Sequence, residues 1–187
     1  DMKSETPTGR ENTGSTTRNG AIGARYMKGA FSTIGVVDTY HYANTQDDAG
    51  YTANLSVAYD FNVAKVFLAG QYFKDMRYLG KAAINDTVSG ASVFGNSTAK
   101  DGWGINLGAT APAFGGTVLG TVGYRDAKNV DNSDAKFKRW NAALGYAYAF
   151  SKRTSVYAAA GYAQEKANEL DRKASAAQAG FGLVHKF

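Results

Sequence analysis

The chain has 187 residues, a formal net charge of +5 and a mean hydropathy of −0.35, with no cysteine and two histidines. This length suits one domain or two. The missing cysteines exclude disulfide frameworks, thiol nucleophiles and cysteine metal sites. Two histidines leave little for zinc, and no P-loop, HExxH or spaced Ser/His/Asp set is visible. The sequence therefore predicts no metal, no cofactor and no catalytic residue.

The first twenty residues differ in composition from the rest. Residues 1–20, DMKSETPTGRENTGSTTRNG, are mostly Thr, Ser, Gly, Asn and charged residues, which is typical of a solvated loop. We therefore divide the chain into a loop at 1–20 and a folded part at 21–187. Because the chain begins with Asp1 rather than methionine, we expect a processed chain or a fragment.

After residue 20 the hydrophobic pattern has a period of two, which predicts β-strands. In the clearest strand, Tyr51 to Phe61, every second side chain is apolar or aromatic and the intervening ones are small or polar. The same alternation occurs from Trp103 to Ala111 and from Trp140 to Phe150. Weaker versions of the pattern lie at 21–28, 31–44, 63–78, 117–128, 154–164 and 175–187. These segments predict about nine strands, each close to the roughly 9 to 11 residues that a tilted strand needs to cross a bilayer.

The connections alternate in length. Short links near 28–29, 62–63, 114–116 and 151–153 are predicted to alternate with long polar links at 44–50, 79–101, 127–137 and 165–174. Tight turns at one end and long loops at the other are typical of a transmembrane β-barrel. The sequence therefore predicts an all-β fold, a transmembrane antiparallel β-barrel.

A soluble β-sandwich is the alternative fold, with the apolar face as its core. Three features favour the membrane. The polar face of the strands carries few Lys and Glu, and aromatic residues stand at strand ends, as Tyr51 and Tyr59 do, where a lipid-facing strand meets the headgroups. A sandwich also has no reason to make the loops at one end long and those at the other end short.

Three segments resemble Gram-negative outer-membrane general porins of the beta-proteobacterial branch. Gln178 to Phe187 is similar to the family's final strand, which ends in an aromatic residue. Leu144 to Tyr157, with its Ser-Lys-Arg-Thr turn, resembles the penultimate hairpin, and Tyr59 to Lys65 resembles another periplasmic turn. The resemblance implies a sixteen-stranded, homotrimeric barrel in the outer membrane lipid, open to small solutes and ions by passive diffusion. It also implies that Phe187 is an assembly signal.

The chain is about half as long as this resemblance requires, and its strand count is odd, whereas single-chain bacterial barrels have even numbers. We therefore expect residues 21–187 to be the carboxyl-terminal half of a porin barrel and residues 1–20 to be the remainder of an extracellular loop. The expected partner is the amino-terminal half of the same porin.

Alternation also predicts which charged side chains line the channel. If the aromatic face contacts lipid, the opposite face carries five basic and three acidic residues, a difference of 5 − 3 = +2 that predicts at most a mild anion preference. These residues are Arg25, Lys65, Arg125, Arg139 and Lys186, with Asp38, Asp60 and Asp75. The strands at 31–44 and 63–78 have apolar residues on both faces, so the pattern there leaves open which face carries Asp38, Lys65 and Asp75.

Two other functions remain open. One is an outer-membrane barrel enzyme, and the other is a small eight-stranded barrel for structure or adhesion, although the predicted inner residues are too small to fill one. His185 is interpreted as an interfacial ring beside Phe187, and His41 as part of an aromatic girdle with Tyr40 and Tyr42. Asp47 and Asp48 fall short of the six to eight oxygens of a calcium site. The basic residues form no stripe for nucleic acid.

Overall fold

The computed structural model describes residues 18–42, 49–77, 99–168 and 172–187. These residues form nine strands in one sheet, and each strand pairs antiparallel with the next along the chain. In order they are β1 (Arg18–Lys28), β2 (Phe31–His41), β3 (Gly50–Asp60), β4 (Lys65–Met76), β5 (Lys100–Ala113), β6 (Gly116–Asn129), β7 (Lys136–Ala149), β8 (Thr154–Ala167) and β9 (Arg172–His185). No helix within these ranges is long and apolar enough to cross a bilayer.

Each predicted strand is present, and the all-β antiparallel fold is confirmed. Within the described ranges β1 pairs only with β2, and β9 only with β8. The predicted boundary at residue 20 lies slightly inside a strand, because β1 begins at Arg18. Residues 1–17 of the predicted loop lie outside the described residues.

The predicted alternation of short and long connections is only partly correct. The 77–99 link is long and the 114–115 link is short, but 168–171 is no longer than 150–153. The error arose because β5 to β9 are 14 residues long and continue into polar segments that resembled loops. Lys136–Lys138 and Glu165–Ala167 belong to strands, since their exposure still alternates residue by residue.

The register gives the sheet two chemically different faces. The face that carries Leu55, Ile105 and Leu144 is exposed and hydrophobic, and we call it the apolar face. The opposite face carries Asn54, Asn106 and Asn141, and we call it the polar face. A one-residue shift of register would exchange the two faces, so the pairing itself separates them.

Aromatic rings lie at both margins of the apolar face. At the end near the 77–99 link, the upper aromatic row consists of Tyr51–Tyr72, Trp103–Tyr124 and Trp140–Tyr162 pairs, with ring centroids 6.0, 5.6 and 5.3 Å apart. At the other end, the lower aromatic row consists of Tyr26–Phe31, Tyr59–Phe61, Tyr148–Phe150 and His185–Phe187 pairs.

The spacing of the two rows matches a bilayer. Trp140 and Tyr148 are eight residues apart on β7, which is about 26 Å along a strand. With the usual strand tilt this separation is close to the roughly 25 Å apolar band of outer-membrane barrels. The aromatic residues predicted at strand ends therefore mark the two membrane interfaces.

Candidate functional site

The polar face forms an open cavity of about 640 Å³. Amide side chains line it at successive strands, with glycine and alanine between them. The lining amides are Asn54, Gln71, Asn106, Asn141 and Gln178. Amides attract water without carrying charge, and the small neighbours leave room for it, so this surface is suited to contact with an aqueous space.

A hydrogen-bonded network orders the polar face on β2 to β4. The Thr52 hydroxyl donates to Asp38 Oδ2 at 2.9 Å, and Asn54 Nδ2 donates to Thr52 Oγ1 at 3.0 Å. Gln71 Nε2 then donates to Asn54 Oδ1 at 2.9 Å. These bonds place Asp38 on the polar face, where the sequence pattern alone was ambiguous.

Glycine permits a close approach of two amides at the middle of the cavity. Gly123 pairs with Asn106 on one side and with Asn141 on the other. A Cβ atom at Gly123 would lie 2.8 Å from Asn106 Nδ2 and 2.9 Å from Asn141 Oδ1. The missing side chain therefore lets both amides lie over β6, and Asn106 Oδ1 accepts a hydrogen bond from the Thr121 hydroxyl at 2.7 Å.

Two predicted lining residues meet in this cavity. Arg125 and Arg139 are direct register partners and both line it. Glu165 is the partner of Arg139 on β8 and is buried. Like charges directly opposite are destabilising, whereas opposite charges are favourable, so Glu165 offsets part of the repulsion. The sequence pattern does not single out Glu165, because the polar residues at 165–174 resemble a loop, although continuing the alternation from Tyr162 places Glu165 on this face.

Four of the six remaining candidates, Lys65, Asp60, Arg25 and Lys186, lie away from this cavity. Lys65 and Asp60 are register partners beside the β3–β4 turn. There Asp60 Oδ1 accepts the Asn62 backbone N–H at 2.9 Å, and Lys65 Nζ lies 5.5 Å from the Phe67 ring centroid. The Asp60 carboxylate therefore stabilises the β3–β4 turn.

Arg25 and Lys186 lie near the two unpaired edges of the described sheet. Arg25 pairs with Ile34 on the same face as Ser56, which is the polar face. Lys186 follows the end of β9, where its backbone N–H donates to the Arg153 carbonyl at 2.9 Å. Both side chains are exposed.

The assignment of Asp75 by alternation was unsound. A register shift interrupts the β4–β5 pairing between Phe73 and Met76, and Asp75 has a positive φ of 52°. The extra residue of such a bulge breaks the two-residue period. The Asp75 backbone N–H donates to Asp101 Oδ1 at 2.9 Å, and its carboxylate lies 3.9 Å from Lys74 Nζ.

The upper end of the polar face is buried and includes an apolar cluster, which the sequence pattern did not indicate. Phe73, Met76, Ala127 and Phe137 form a cluster there, with Tyr40 packed against it. Tyr40 thus turns away from the girdle predicted around His41. The Tyr42 hydroxyl donates to the Asp75 carbonyl and accepts the Arg77 N–H, so Tyr42 also stabilises this end of the sheet.

His185 occupies the interfacial position predicted for it. Its ring contacts the Phe187 ring edge-on at 5.0 Å, and its Nδ1 is 2.9 Å from Thr154 Oγ1. Among the described residues there is no group of three His, Cys, Asp or Glu side chains able to hold a metal ion. Asp47 and Asp48 lie outside the described residues.

A strand-to-strand sheet with one polar face and one apolar face bounded by aromatic rows is the wall of a transmembrane β-barrel. The family model of the Gram-negative porin matches residues 3–168. The chain therefore belongs to the Gram-negative porin family, as its resemblance predicted, and is located in the outer membrane.

Individual relatives agree with this assignment. The chain is 31% identical over 178 residues to an outer membrane porin protein of Bordetella pertussis, across 88% of this chain and 45% of that protein. Among solved structures it is similar to in-vitro folded OmpT, an outer membrane protein of Vibrio cholerae, with a TM-score of 0.66 and 14% identity. A loop L8 deletion mutant of OmpT gives a TM-score of 0.64 at 14% identity.

The matched region is a fraction of each relative. The alignments cover 89% of this chain in both structural comparisons, and 49% and 52% of the two OmpT chains. The chain thus spans about half the length of the proteins it matches. At this level of identity the OmpT structures show the fold alone.

Proposed function

We propose that this chain forms about half of the wall of a water-filled channel, through which small hydrophilic solutes and ions cross the outer membrane by passive diffusion. The observation that carries the proposal is the cavity on the polar face, opposite a face bounded by two aromatic rows. Because one face of the sheet contacts lipid, the opposite face contacts a different medium, and amide side chains with small neighbours are suited to contact with water.

The sizes of the inner side chains favour a channel over a filled structural barrel. The cavity lining includes Ala143, Gly161, Ala163 and Ala176, whereas a small closed barrel needs bulky residues to fill its interior. The lining also supports a channel over an enzyme. Of the two histidines, His185 pairs with Thr154 at the lower interface, far along β8 from the cavity residues Gly161 and Ala163, so it cannot act as a base there.

The remainder of the barrel wall completes this channel in our proposal. The amino-terminal half of the same porin would pair with β1 and β9 to close sixteen strands, and three barrels would form a homotrimer. The half-length match to the Bordetella pertussis porin supports this completion. Backbone groups left unpaired in hydrocarbon cost several kcal/mol each, roughly, so the two edges need partners.

The channel carries a mild preference for anions. Among the side chains that the structure describes, setting Asp75 aside and adding Lys100 and Glu165, which share the polar face, gives six basic and three acidic ones, or 6 − 3 = +3. The six are Arg25, Lys65, Lys100, Arg125, Arg139 and Lys186, and the three are Asp38, Asp60 and Glu165. Charges on a wide wet wall interact through water and are screened beyond about 8 Å at physiological salt, so the preference fades as salt rises.

Planar-bilayer recording of the full-length protein tests the proposal. We expect stepwise, ohmic conductance. In a salt gradient we expect a small reversal potential whose sign indicates anion selectivity. Hydrolysis of lipid or peptide substrates by the same preparation, without conductance, would instead support the enzyme. An absence of both from a folded preparation would support the structural barrel.

A further inference from the structure

Three large apolar side chains are exposed on the lower part of the polar face, where contact with water alone does not require them. They are Phe67, Leu119 and Tyr157, with exposed fractions of 38%, 41% and 50%. Each is an even number of residues from a side chain of its own strand that lines the amide cavity, which places it on the same face. Those cavity residues are Gln71, Arg125 and Ala163.

Two of these side chains lie flat on the sheet because glycine leaves room for them. A Cβ atom at Gly182 would lie 2.5 Å from Tyr157 Cζ, so the Tyr157 ring rests over β9. A Cβ atom at Gly145 would lie 3.9 Å from Leu119 Cδ1, so Leu119 leans over β7. The exposed apolar surface is therefore low, and it leaves the space above it open.

An apolar cavity of about 630 Å³ lies among the three side chains. Gly108 on β5 forms part of its floor, with Phe67 on β4 to one side and Leu119 on β6 to the other. Phe67 and Leu119 are two strands apart and two residues out of step, which separates their Cα atoms by roughly 12 Å. A ring halfway between them would lie about 6 Å from each, within the range of aromatic contacts.

Lys65 places a positive charge at the edge of this cavity. Its Nζ lies 5.5 Å from the Phe67 ring centroid, and Lys65, Thr110 and Leu119 form one row across three strands. Asp60 is the register partner of Lys65 on the same face. Because Asp60 Oδ1 accepts the Asn62 backbone N–H and the Lys65 ammonium group lies over the Phe67 ring, the charge of Lys65 is directed toward the cavity.

The apolar cavity is continuous with the amide cavity above it. Asn106 and Ala143 line both, and Arg125 and Arg139 lie at the upper of the two. A solute that descends along this wall meets two cations, then amides, then apolar side chains, and then Lys65. A molecule with a negative charge and a planar apolar ring is complementary to this whole series.

We propose that the apolar cavity binds small aromatic carboxylates, with the ring between Phe67 and Leu119 over Gly108 and the carboxylate at the Lys65 ammonium group. The inference rests on the proposed function, because the polar face must line the channel, and it names a class of solute that the channel admits. Packed protein segments interdigitate, whereas the flat Leu119 and Tyr157 side chains form a smooth surface, which favours a planar solute as the occupant.

Saturation-transfer difference NMR of the full-length protein in detergent micelles tests this site, with protein-free micelles as the background. The probes are benzoate, acetate and benzyl alcohol. The test variants are Lys65→Gln, which removes the charge, and Gly108→Val, which fills the floor. A Cβ atom at Gly108 would meet its nearest neighbour at 3.4 Å, so the backbone can accept a side chain there.

Each test variant has a matched control. Lys28→Gln removes an exposed cation at the same end of the sheet but on the apolar face, since Lys28 pairs with Phe31 and Phe31 with Tyr59. Gly180→Val adds the same side chain to the polar face four strands away on β9, where a Cβ atom would meet nothing within 4 Å.

We expect wild-type protein to bind benzoate, to bind benzyl alcohol more weakly and to show no signal with acetate. Lys65→Gln should raise the dissociation constant for benzoate about fivefold, as expected for two unit charges about 4 Å apart in water. Gly108→Val should abolish the benzoate signal, because its side chain occupies the position of the ring. Both control variants should bind benzoate as wild type does.

Three results would overturn the proposal. Benzoate binding that is unaffected by both test variants would show that the cavity is not the site, as it would be if a segment of the remaining porin covered it. Equal losses in test and control variants would show that the effect is not local. Displacement of benzoate by acetate at equal concentration would indicate an anion site that does not recognise the ring.

The binding measurement does not depend on conductance, so the two proposals can fail separately. A protein that conducts in planar bilayers but shows no benzoate binding that depends on Lys65 would overturn this inference alone. Benzoate binding that depends on Lys65 and Gly108 in a protein that does not conduct would support the site and contradict the channel.

Discussion

Arg125 and Arg139 show at the residue scale why the polar face must meet water. Direct partners on antiparallel strands have Cβ atoms about 4.5 to 5.5 Å apart, and two unit charges at 4 Å repel by about 1 kcal/mol in water. The same pair in a medium of low dielectric constant would repel far more strongly. Two adjacent arginines are therefore tolerated on the face that carries the cavity, while the other face holds Leu144 and Val122.

The first prediction concerns these two charges. In the full-length protein, Arg125→Gln/Arg139→Gln should shift the reversal potential in a salt gradient toward cations. The anion-to-cation permeability ratio should fall about twofold per charge, because charges 10 Å apart interact through water by roughly 0.4 kcal/mol.

Lys138→Gln is the matched control for this prediction, since it removes a charge next to Arg139 in sequence but on the other face. It should leave the reversal potential unchanged. An unaltered potential in the double variant would contradict the assignment of Arg125 and Arg139 to the channel wall.

At the scale of a strand, alternation places neighbouring residues on opposite faces of the sheet, in different chemical environments. Ala143 pairs with Thr121 and Gly161 on the polar face, whereas Leu144 pairs with Gly120 and Ala160 on the apolar face. Leu144 also lies midway between Trp140 and Tyr148, near the centre of the membrane band. Adjacent positions on β7 should therefore respond very differently to a charge.

The second prediction compares Leu144→Arg with Ala143→Arg. An arginine facing lipid near the bilayer midplane should lower the free energy of unfolding by about 2 to 4 kcal/mol. An arginine facing the cavity should leave stability almost unchanged and reduce conductance. Urea unfolding in phosphatidylcholine vesicles measures the first effect, and planar-bilayer recording measures the second. Similar losses of stability in both variants would show that the two faces are not lipid and water.

The sequence predicts strands well where one pattern runs uninterrupted, and less well at their ends. From Tyr51 to Phe61 the alternation alone gave both the strand and its faces. On β2 both faces carry apolar residues, so the side of Asp38 became known only from its hydrogen bond to Thr52. The bulge before Met76 leaves no trace in the hydrophobic pattern, because it depends on pairing with β5.

The sequence pattern ends several strands too early because their last residues are charged, and this error has a physical reason. Lys138, Glu165 and Lys166 look like loop residues if strands are expected to be apolar, yet here they lie in strands that extend past the aromatic row. Above the headgroups one face of a strand meets water, so charged side chains are compatible with it. Alternation alone predicts that Arg125 and Arg139 face the candidate cavity. The positions of Glu165 and Lys100 on this face became known only from the observed bounds of their strands.

At the scale of the whole molecule, both margins of the apolar face depend on aromatic residues, and Phe187 is the last of them. Its ring contacts His185 and is fully exposed on the described chain. An amphipathic body of this kind suits the interface between lipid and water. This position fits either an anchor or the assembly signal that the porin resemblance implies.

The third prediction separates Phe187 from other exposed aromatic residues at the same end. Phe187→Ser, or deletion of Phe187, should reduce the amount of full-length protein in outer-membrane fractions far more than Phe114→Ser does. Phe114 is also exposed, in the short β5–β6 turn. Both substitutions therefore replace an exposed phenylalanine with serine and remove the same hydrophobic surface. Quantitative blotting of membrane fractions measures the difference, and equal levels would count against an assembly role.

The last prediction concerns closure of the barrel. In the described sheet β1 and β9 are edges, and each would place a row of unpaired N–H and C=O groups in hydrocarbon, a cost of several kcal/mol per group, roughly. No substitution of side chains removes this cost, because the groups belong to the backbone. Only a partner strand, or pairing of β1 with β9, can satisfy them.

We therefore expect residues 1–187, expressed alone and refolded into phosphatidylcholine vesicles, to give no compact species that resists heat in detergent electrophoresis. Addition of the remainder of the porin as a second polypeptide during refolding should restore such a species, because its strands can pair with both edges. Intact-mass analysis of the resistant band would identify its components. A heat-resistant, conducting monomer made of residues 1–187 alone would instead mean that β1 and β9 close the sheet on itself, and would overturn the half-barrel interpretation.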